Sequence, residues 1–79
     1  MRVTVKLPVL GDTTRQGMIS RWLVSVGDVV ERGQVLVIVE ADKAEVEVPS
    51  PVGGTVLELL VELEDEIDIG HPIVVIESE

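Results

Sequence analysis

The chain contains no cysteine, tyrosine or phenylalanine, and tryptophan and histidine occur once each, as Trp22 and His71. Without cysteine there is no disulfide and no thiolate chemistry, which fits a reducing compartment. His71 follows Gly70 and has no cysteine, serine or second histidine arranged with it, so it reads as a surface residue rather than a catalytic one. No phosphate-binding glycine loop and no triad spacing is present, so neither a catalytic constellation nor a metal site is expected. No apolar run approaches the ~18 residues of a membrane span. The N-terminus shows no basic stretch leading into a long apolar one, so no signal peptide is expected. Basic residues stop at Lys43. Residues 1–43 hold six bases and five acids, residues 44–79 hold ten acids and no base, and +1 with −10 gives the net charge of −9. Such a surface repels nucleic acid and anionic membrane, and it keeps a small domain soluble or suits a basic partner.

What the chain has in quantity is branched aliphatic side chains: 17 Val, 8 Leu and 6 Ile in 79 residues. Their stiff side chains pack well on a pleated surface, which favours an all-β fold. The length predicts one domain over residues 1–79. A domain this small buries only ~60% of its unfolded surface, so its core must be dense.

Residues 2–7 alternate Arg2, Thr4 and Lys6 with Val3, Val5 and Leu7, the pattern of a half-buried strand stopped by Pro8. Gly11 to Gly17 is a polar loop. Met18 to Val26 is apolar-rich, Gly27-Asp28 breaks it, and Val29-Val30 is a short extended piece. Val35 to Val39 is continuously apolar, as expected of a strand covered on both faces. Glu45 to Val48 alternates again, and Asp42, Lys43 and Ala44 lie between, where a tight turn fits. Pro49-Ser50-Pro51 is excluded from a central strand because proline lacks the ladder donor.

Residues 17–42 then recur as residues 54–79, displaced by 37 positions with no gap. Seven of the 26 positions are identical, among them Gly17/Gly54, Asp28/Asp65 and Gly33/Gly70. The shared register of the turn residues marks an internal duplication. It also resolves Leu57 to Glu64, which is built of good helix formers. One repeated unit should adopt one conformation, and its partner, Ser20 to Val26, favours strand and turn. Both are therefore expected to be strands. The duplicated halves should pack into a flattened β-barrel or sandwich, related by a quasi two-fold axis. The Lys43 turn and the chain termini should lie at opposite ends.

Lys43 is one of two lysines, and the other, Lys6, lies in a strand. Its neighbours Glu40, Asp42, Glu45 and Glu47 favour the ammonium form. A Schiff-base or nucleophilic lysine needs the reverse, so Lys43 is unsuited to chemistry of its own but well placed as a target for another enzyme. Glu64, Glu66 and Asp68 have the spacing of the first three ligands of a calcium loop. The glycine such a loop requires at position 69 is displaced to Gly70, which favours a solvated strand and turn. Trp22 matches Leu59 in the second half and reads as a core residue.

Together these residues resemble the lipoyl domains of 2-oxo acid dehydrogenase complexes. The resemblance covers essentially the whole chain. It is carried by Lys6-Leu7-Pro8, Gly17, Ile19 and Trp22, Val26-Gly27-Asp28, Val39-Glu40-Ala41-Asp42-Lys43-Ala44, Pro49-Ser50-Pro51 and Gly54. It implies a flattened β-barrel of two quasi-symmetric four-stranded antiparallel sheets in which Lys43, at a hairpin tip, carries lipoate in amide linkage as a swinging arm. Asp42 and Ala44 would help define the target of the lipoylating enzyme. The arm would be reductively acylated by a thiamine diphosphate-dependent decarboxylase (E1). It would pass the acyl group to coenzyme A in the acyltransferase (E2) catalytic domain and be reoxidised by dihydrolipoamide dehydrogenase (E3). Asp12, Thr13, Thr14 and Arg15 would belong to a loop that contacts E1. The resemblance further implies a non-catalytic, monomeric carrier domain, part of a longer E2 chain. Its expected setting is the bacterial cytoplasm, with the mitochondrial matrix as the alternative. Three departures stand out. The loop reads Gly11-Asp12-Thr13 where the family more often has Gly-Glu-Gly. Glu64-Asp65 replaces a commoner Gly-Asp, which puts the conformation of that turn in question. Ala41 stands where threonine is frequent. A biotin carrier has the same fold, but its modified lysine usually lies between two methionines. An unmodified barrel-sandwich module that only binds proteins is the alternative of a different class.

Overall fold

The computed structural model describes residues 1–11 and 14–78. Among the described residues eight strands are formed: β1 (Arg2–Lys6), β2 (Gln16–Trp22), β3 (Val29–Val30), β4 (Val35–Ala41), β5 (Ala44–Pro49), β6 (Gly54–Leu59), β7 (Glu66–Asp68) and β8 (Pro72–Ser78). They make two antiparallel four-stranded sheets, ordered β1-β8-β6-β3 and β5-β4-β2-β7. The expected two-sheet architecture is therefore present.

The duplication is preserved down to individual hydrogen bonds. Strands β2, β3 and β4 correspond to β6, β7 and β8. Leu23 N–H donates to the Leu36 carbonyl at 2.9 Å, and Leu60 N–H to the Ile73 carbonyl at 2.8 Å. Gly27 N–H donates to Val56 and Glu64 N–H to Ile19, both at 2.8 Å. Even the irregularities recur, between Ile19 and Arg21 in β2 and between Val56 and Glu58 in β6. Each half places its short strand in the other half's sheet: β3 pairs with β6, and β7 with β2. The halves are interlocked, because neither completes a four-stranded sheet alone.

The core lies between the two sheets. Leu7, Ile19, Leu36, Val39, Val48, Val56, Ile73 and Ile76 are essentially inaccessible. Burying each such side chain contributes ~1.5–3 kcal/mol. The only buried polar side chain among the described residues is Ser50. Its hydroxyl donates to the Val52 carbonyl at 2.6 Å, so burial does not leave it unpaired.

Four sequence expectations need correction. The segment Leu57 to Glu64 is a strand only as far as Leu59, and β2 likewise ends at Trp22 rather than Val26. Both chains turn there because a downstream aspartate pulls them in. Asp28 Oδ2 accepts Ser25 N–H at 2.8 Å, and Asp65 Oδ2 accepts Glu62 N–H at 2.9 Å. Second, β4 is not covered on both faces: Ile38 faces outward and is half-buried. Third, the Glu64-Asp65 turn keeps the geometry of Gly27-Asp28. Glu64 adopts φ 69°, where Gly27 has φ 95°. A left-handed backbone costs a side-chain-bearing residue ~1–2 kcal/mol, and the surrounding ladder imposes it. Fourth, Trp22 is half-buried and packs against the core from its margin. Its indole N–H is buried without a partner.

The two ends of the barrel are distinct. Leu7 N–H donates to His71 and Ile69 N–H to Arg15, both at 3.0 Å. These bonds join the Lys6 end of one sheet to the Gln16 end of the other, which also carries the β4–β5 hairpin. At the far end Gly33 N–H donates to Ser50 at 2.8 Å, and Gly54 lies opposite both Val30 and Ser78. Arg2 pairs with Glu77 there, so the termini and the hairpin are at opposite ends, as expected.

Candidate functional site

The β4–β5 hairpin closes with two residues, Asp42 and Lys43. Ala41 is paired with Ala44 and Glu40 with Glu45. Asp42 has φ 51° and Lys43 φ 69°. A two-residue loop with positive φ at both centres is the turn whose twist matches the flanking strands. Asparagine and glycine normally fill it, because other residues pay for the left-handed backbone. Here aspartate, which tolerates that region comparatively well, comes first, and lysine takes the second position. The strain is held in place by the register of β4, whose Val39 is wholly buried.

The turn puts Lys43 at the extreme of the hairpin with its side chain exposed. Among the described residues no carboxylate lies within 4.0 Å of its ammonium; the one ion pair joins the Met1 ammonium to Glu77 at 3.1 Å. Asp42 and Ala44 are exposed on either side of it, and Ala41 is buried beneath. Two small residues closing the ladder leave the base of the Lys43 side chain unobstructed. Lys6 differs in backbone context. It is exposed at the end of the extended strand β1, opposite Pro72.

Of the loop expected to contact a partner, Asp12 and Thr13 lie outside the described residues. Thr14 is half-buried and Arg15 exposed. The Arg15 carbonyl accepts from Ile69, and Gln16 Nε2 donates to Asp68 Oδ1 at 2.9 Å. These contacts hold the C-terminal end of the loop against the β7–β8 turn. Arg15, Gln16, Asp68 and Ile69 line a shallow cleft there. Gln16 lies two residues before Met18, which is opposite Glu40, so this cleft is at the hairpin end.

Two features escaped the sequence reading. Leu10 seats over Gly17: a Cβ on Gly17 would come within 2.8 Å of Leu10 Cδ1 and 2.4 Å of Val39 Cγ1. The missing side chain is thus the space that Leu10 fills. The second is a row of side chains across the outer face of one sheet, Glu45–Glu40–Met18–Glu66, one rung from the turn. Once the two turn residues are known, simple counting pairs Glu40 with Glu45. The neighbours Met18 and Glu66 require the sheet order.

A family model for biotin and lipoyl attachment, described as "Biotin-requiring enzyme", matches residues 3–76. The chain belongs to the biotin/lipoyl attachment family. Within it, the chain is 43% identical over 76 residues to the dihydrolipoyllysine-residue acetyltransferase component of the pyruvate dehydrogenase complex of Corynebacterium glutamicum, covering 96% of this chain and 11% of that protein. It is 41% identical over 78 residues to the same component from Staphylococcus aureus, covering 99% of this chain and 18% of that protein. The chain therefore spans less than a fifth of the length of these relatives. Among solved structures, a single-chain long-chain acyl-CoA carboxylase matches with a TM-score of 0.84 at 18% identity, covering 99% of this chain and 7% of that one. The lipoyl domain of the 2-oxoglutarate dehydrogenase complex of Azotobacter vinelandii matches with a TM-score of 0.76 at 23% identity, covering 98% and 99%. At these identities the structures establish the family's fold and do not separate its biotin-bearing from its lipoyl-bearing members. Sequence identity favours the lipoyl-bearing side: these two relatives, and one from Acholeplasma laidlawii at 42% identity, are dihydrolipoyllysine-residue acetyltransferase components of pyruvate dehydrogenase complexes.

Proposed function

We propose that this chain is a lipoyl-bearing carrier domain of the acetyltransferase of a pyruvate dehydrogenase complex, with Lys43 as the attachment residue. The observation that carries this reading is the turn: an exposed lysine held at the tip of a two-residue hairpin by a strained, fully registered backbone. The residues present suit the group. The amine is accessible and free of a carboxylate partner among the described residues, and the flanking side chains are aspartate and alanine. Bound there in amide linkage, lipoate supplies a dithiolane that takes up an acyl group with two electrons.

The chain's own part is presentation. The hairpin fixes the Lys43 Cα while leaving its side chain free to sweep. The dense two-sheet core keeps that tip from collapsing onto the surface. Asp42 and Ala44 define the target that a lipoylating enzyme reads. A tethered carrier raises the effective concentration of the arm at each active site it visits, to the millimolar range for a short flexible linker. The partners under this reading are the decarboxylase, the acyltransferase core and the dihydrolipoamide dehydrogenase of the complex, and Thr14 and Arg15 belong to the loop that meets the decarboxylase.

Intact mass after expression with lipoate and a lipoyl ligase tests the proposal. A single lipoyl adduct should appear, persist in Lys6→Arg and vanish in Lys43→Arg. A biotin adduct instead, or no adduct under conditions that modify an authentic lipoyl domain, overturns it.

A further inference from the structure

The duplication extends beyond residues 17–42 and 54–79, and it fails at one place. Strand β1 repeats β5: the pairs Arg2↔Glu77, Val3↔Ile76, Thr4↔Val75 and Val5↔Val74 match Glu45↔Glu40, Val46↔Val39, Glu47↔Ile38 and Val48↔Val37. The next bonds match as well. Leu7 N–H donates to His71 and Gly70 N–H to Leu7, as Ser50 N–H donates to Gln34 and Gly33 N–H to Ser50. From Ser50 to Gly54 the chain then needs three residues, 51–53; from Leu7 to Gly17 it uses nine, 8–16, which is six more. One half thus closes without the added residues, and in the other they lie at the hairpin end. The short connection is tied by the Ser50 hydroxyl, which donates to the Val52 carbonyl at 2.6 Å. Leu7 has no hydroxyl, and Leu10 ties the long connection instead. It is half-buried against the core, in the space that Gly17 leaves beside Val39. At Gly54 the corresponding space is taken by the backbone of Glu77 and Ser78, so among the described residues the Leu10 seat has no counterpart. Val39 lies two residues before Ala41, which closes the Lys43 turn. A Cβ on Gly11 would meet Thr14 Oγ1 at 3.4 Å, so the loop is narrow where it leaves that seat.

We propose that Leu10 is a positioning residue. Seated on Gly17 and Val39, it fixes the longer loop against the strand that leads to Lys43, so that a partner meets loop and lysine in one fixed relation. The proposal rests on the reading of Lys43 as the attachment residue. A loop that is already seated need not be ordered on binding, whereas each loop position immobilised by a partner weakens the complex. Leu10 has no contact with the arm in this role; it acts through the loop. The other end of the loop is held separately, by Ile69 N–H on the Arg15 carbonyl and by Gln16 on Asp68. Loss of the Leu10 side chain therefore frees the first limb of the loop and leaves the start of β2 in place.

Two substitutions test this from opposite sides. Leu10→Ala empties the seat, and Gly17→Ala fills it with Leu10 still present. In the unmodified chain both should lower the backbone heteronuclear NOE at Gly11 and Thr14 while β2 stays rigid. Both should still take one lipoyl adduct on Lys43. In reductive acetylation by the decarboxylase of the Staphylococcus aureus complex, both should raise the KM for the lipoylated chain about three- to tenfold with kcat unchanged, as expected when ordering is charged to binding alone. Leu10→Met should restore the parent KM, and the double variant should be no worse than either single one. Val24→Ala, which truncates a buried side chain outside the Leu10 seat, should lower the urea midpoint and leave KM unchanged. A Leu10→Ala chain with the parent's KM overturns the proposal, as does a Val24→Ala chain whose KM rises as far. A parent chain that takes no lipoyl group, or takes one and is not acetylated, overturns the carrier reading and the proposal with it. A parent chain that passes both steps while Leu10→Ala behaves identically overturns the proposal alone.

Discussion

Replacing Gly54 by alanine should force β6 away from β8 at the end of the barrel that carries the termini. A Cβ on Gly54 would lie 2.0 Å from the Glu77 carbonyl oxygen, 2.8 Å from its carbon and 2.9 Å from Ser78 Cα. All three are backbone atoms in a paired strand, so no rotamer change relieves the clash. Strand β6 is central, bonded to β8 on one side and β3 on the other, so a displacement breaks one ladder or the other. Overpacking of a well-packed site costs ~1–3 kcal/mol, and a backbone obstacle belongs at or above the upper end. A loss of ~3 kcal/mol would lower the melting temperature of a domain this size by ~12–24 °C. The duplication supplies the control. Gly17 is the equivalent position, but there the nearest obstacles are side-chain atoms of Val39 and Leu10. Leu10 can move and Val39 can shift off its rotamer at ~0.5–1.5 kcal/mol, so Gly17→Ala should lose about half as much as Gly54→Ala. Urea unfolding followed by far-ultraviolet circular dichroism measures both. A Gly54→Ala chain within ~0.5 kcal/mol of the parent would refute the reasoning, since changes that small are typical of unconstrained surface sites. So would a Gly17→Ala chain that lost more.

Two further substitutions follow from the same geometry. Glu64→Gly removes a side chain from a left-handed backbone, and after the entropy cost of glycine it should stabilise the chain by ~0.5–1 kcal/mol in urea unfolding; a net loss would mean that the Glu64 side chain contributes more than its strain. Trp22→Phe deletes a buried N–H that has no partner. The ~1–3 kcal/mol released by removing an unpaired donor should offset most of the lost contact area. The variant should therefore unfold within ~1 kcal/mol of the parent, and a loss above ~2 kcal/mol would place a bound partner on that nitrogen.

Much of the fold was legible along the chain because the duplication speaks for both halves at once. Gly27-Asp28 and Glu64-Asp65 look different in isolation, yet the gapless register aligned them, and both turns close through the same aspartate hydrogen bond. The same register overruled the helix formers of Leu57 to Glu64, although it did not mark where the strand would stop. That boundary depends on Asp65 reaching back to Glu62, a contact between residues that propensity treats independently. Lys43 was legible from its flanking residues. The strain beneath it was not, because positive φ at Asp42 and Lys43 is imposed by the ladder of β4 and β5 rather than chosen by either residue. Leu10 over Gly17 was also hidden, since a glycine in a strand tells of close approach without naming what approaches.

The sequence by itself determined the all-β class, the duplication and the candidate lysine, Lys43. Local chemistry is enough for these: aliphatic alternation, turn residues and the Asp-Lys-Ala segment are each contained in a few neighbouring positions. Only the tertiary structure decided that the halves exchange β3 and β7 and that Glu45, Glu40 and Glu66 share one row around Met18. Those facts depend on which strands lie side by side. Strand order across two sheets is set by how the whole apolar surface closes on itself, and no local stretch of residues contains it.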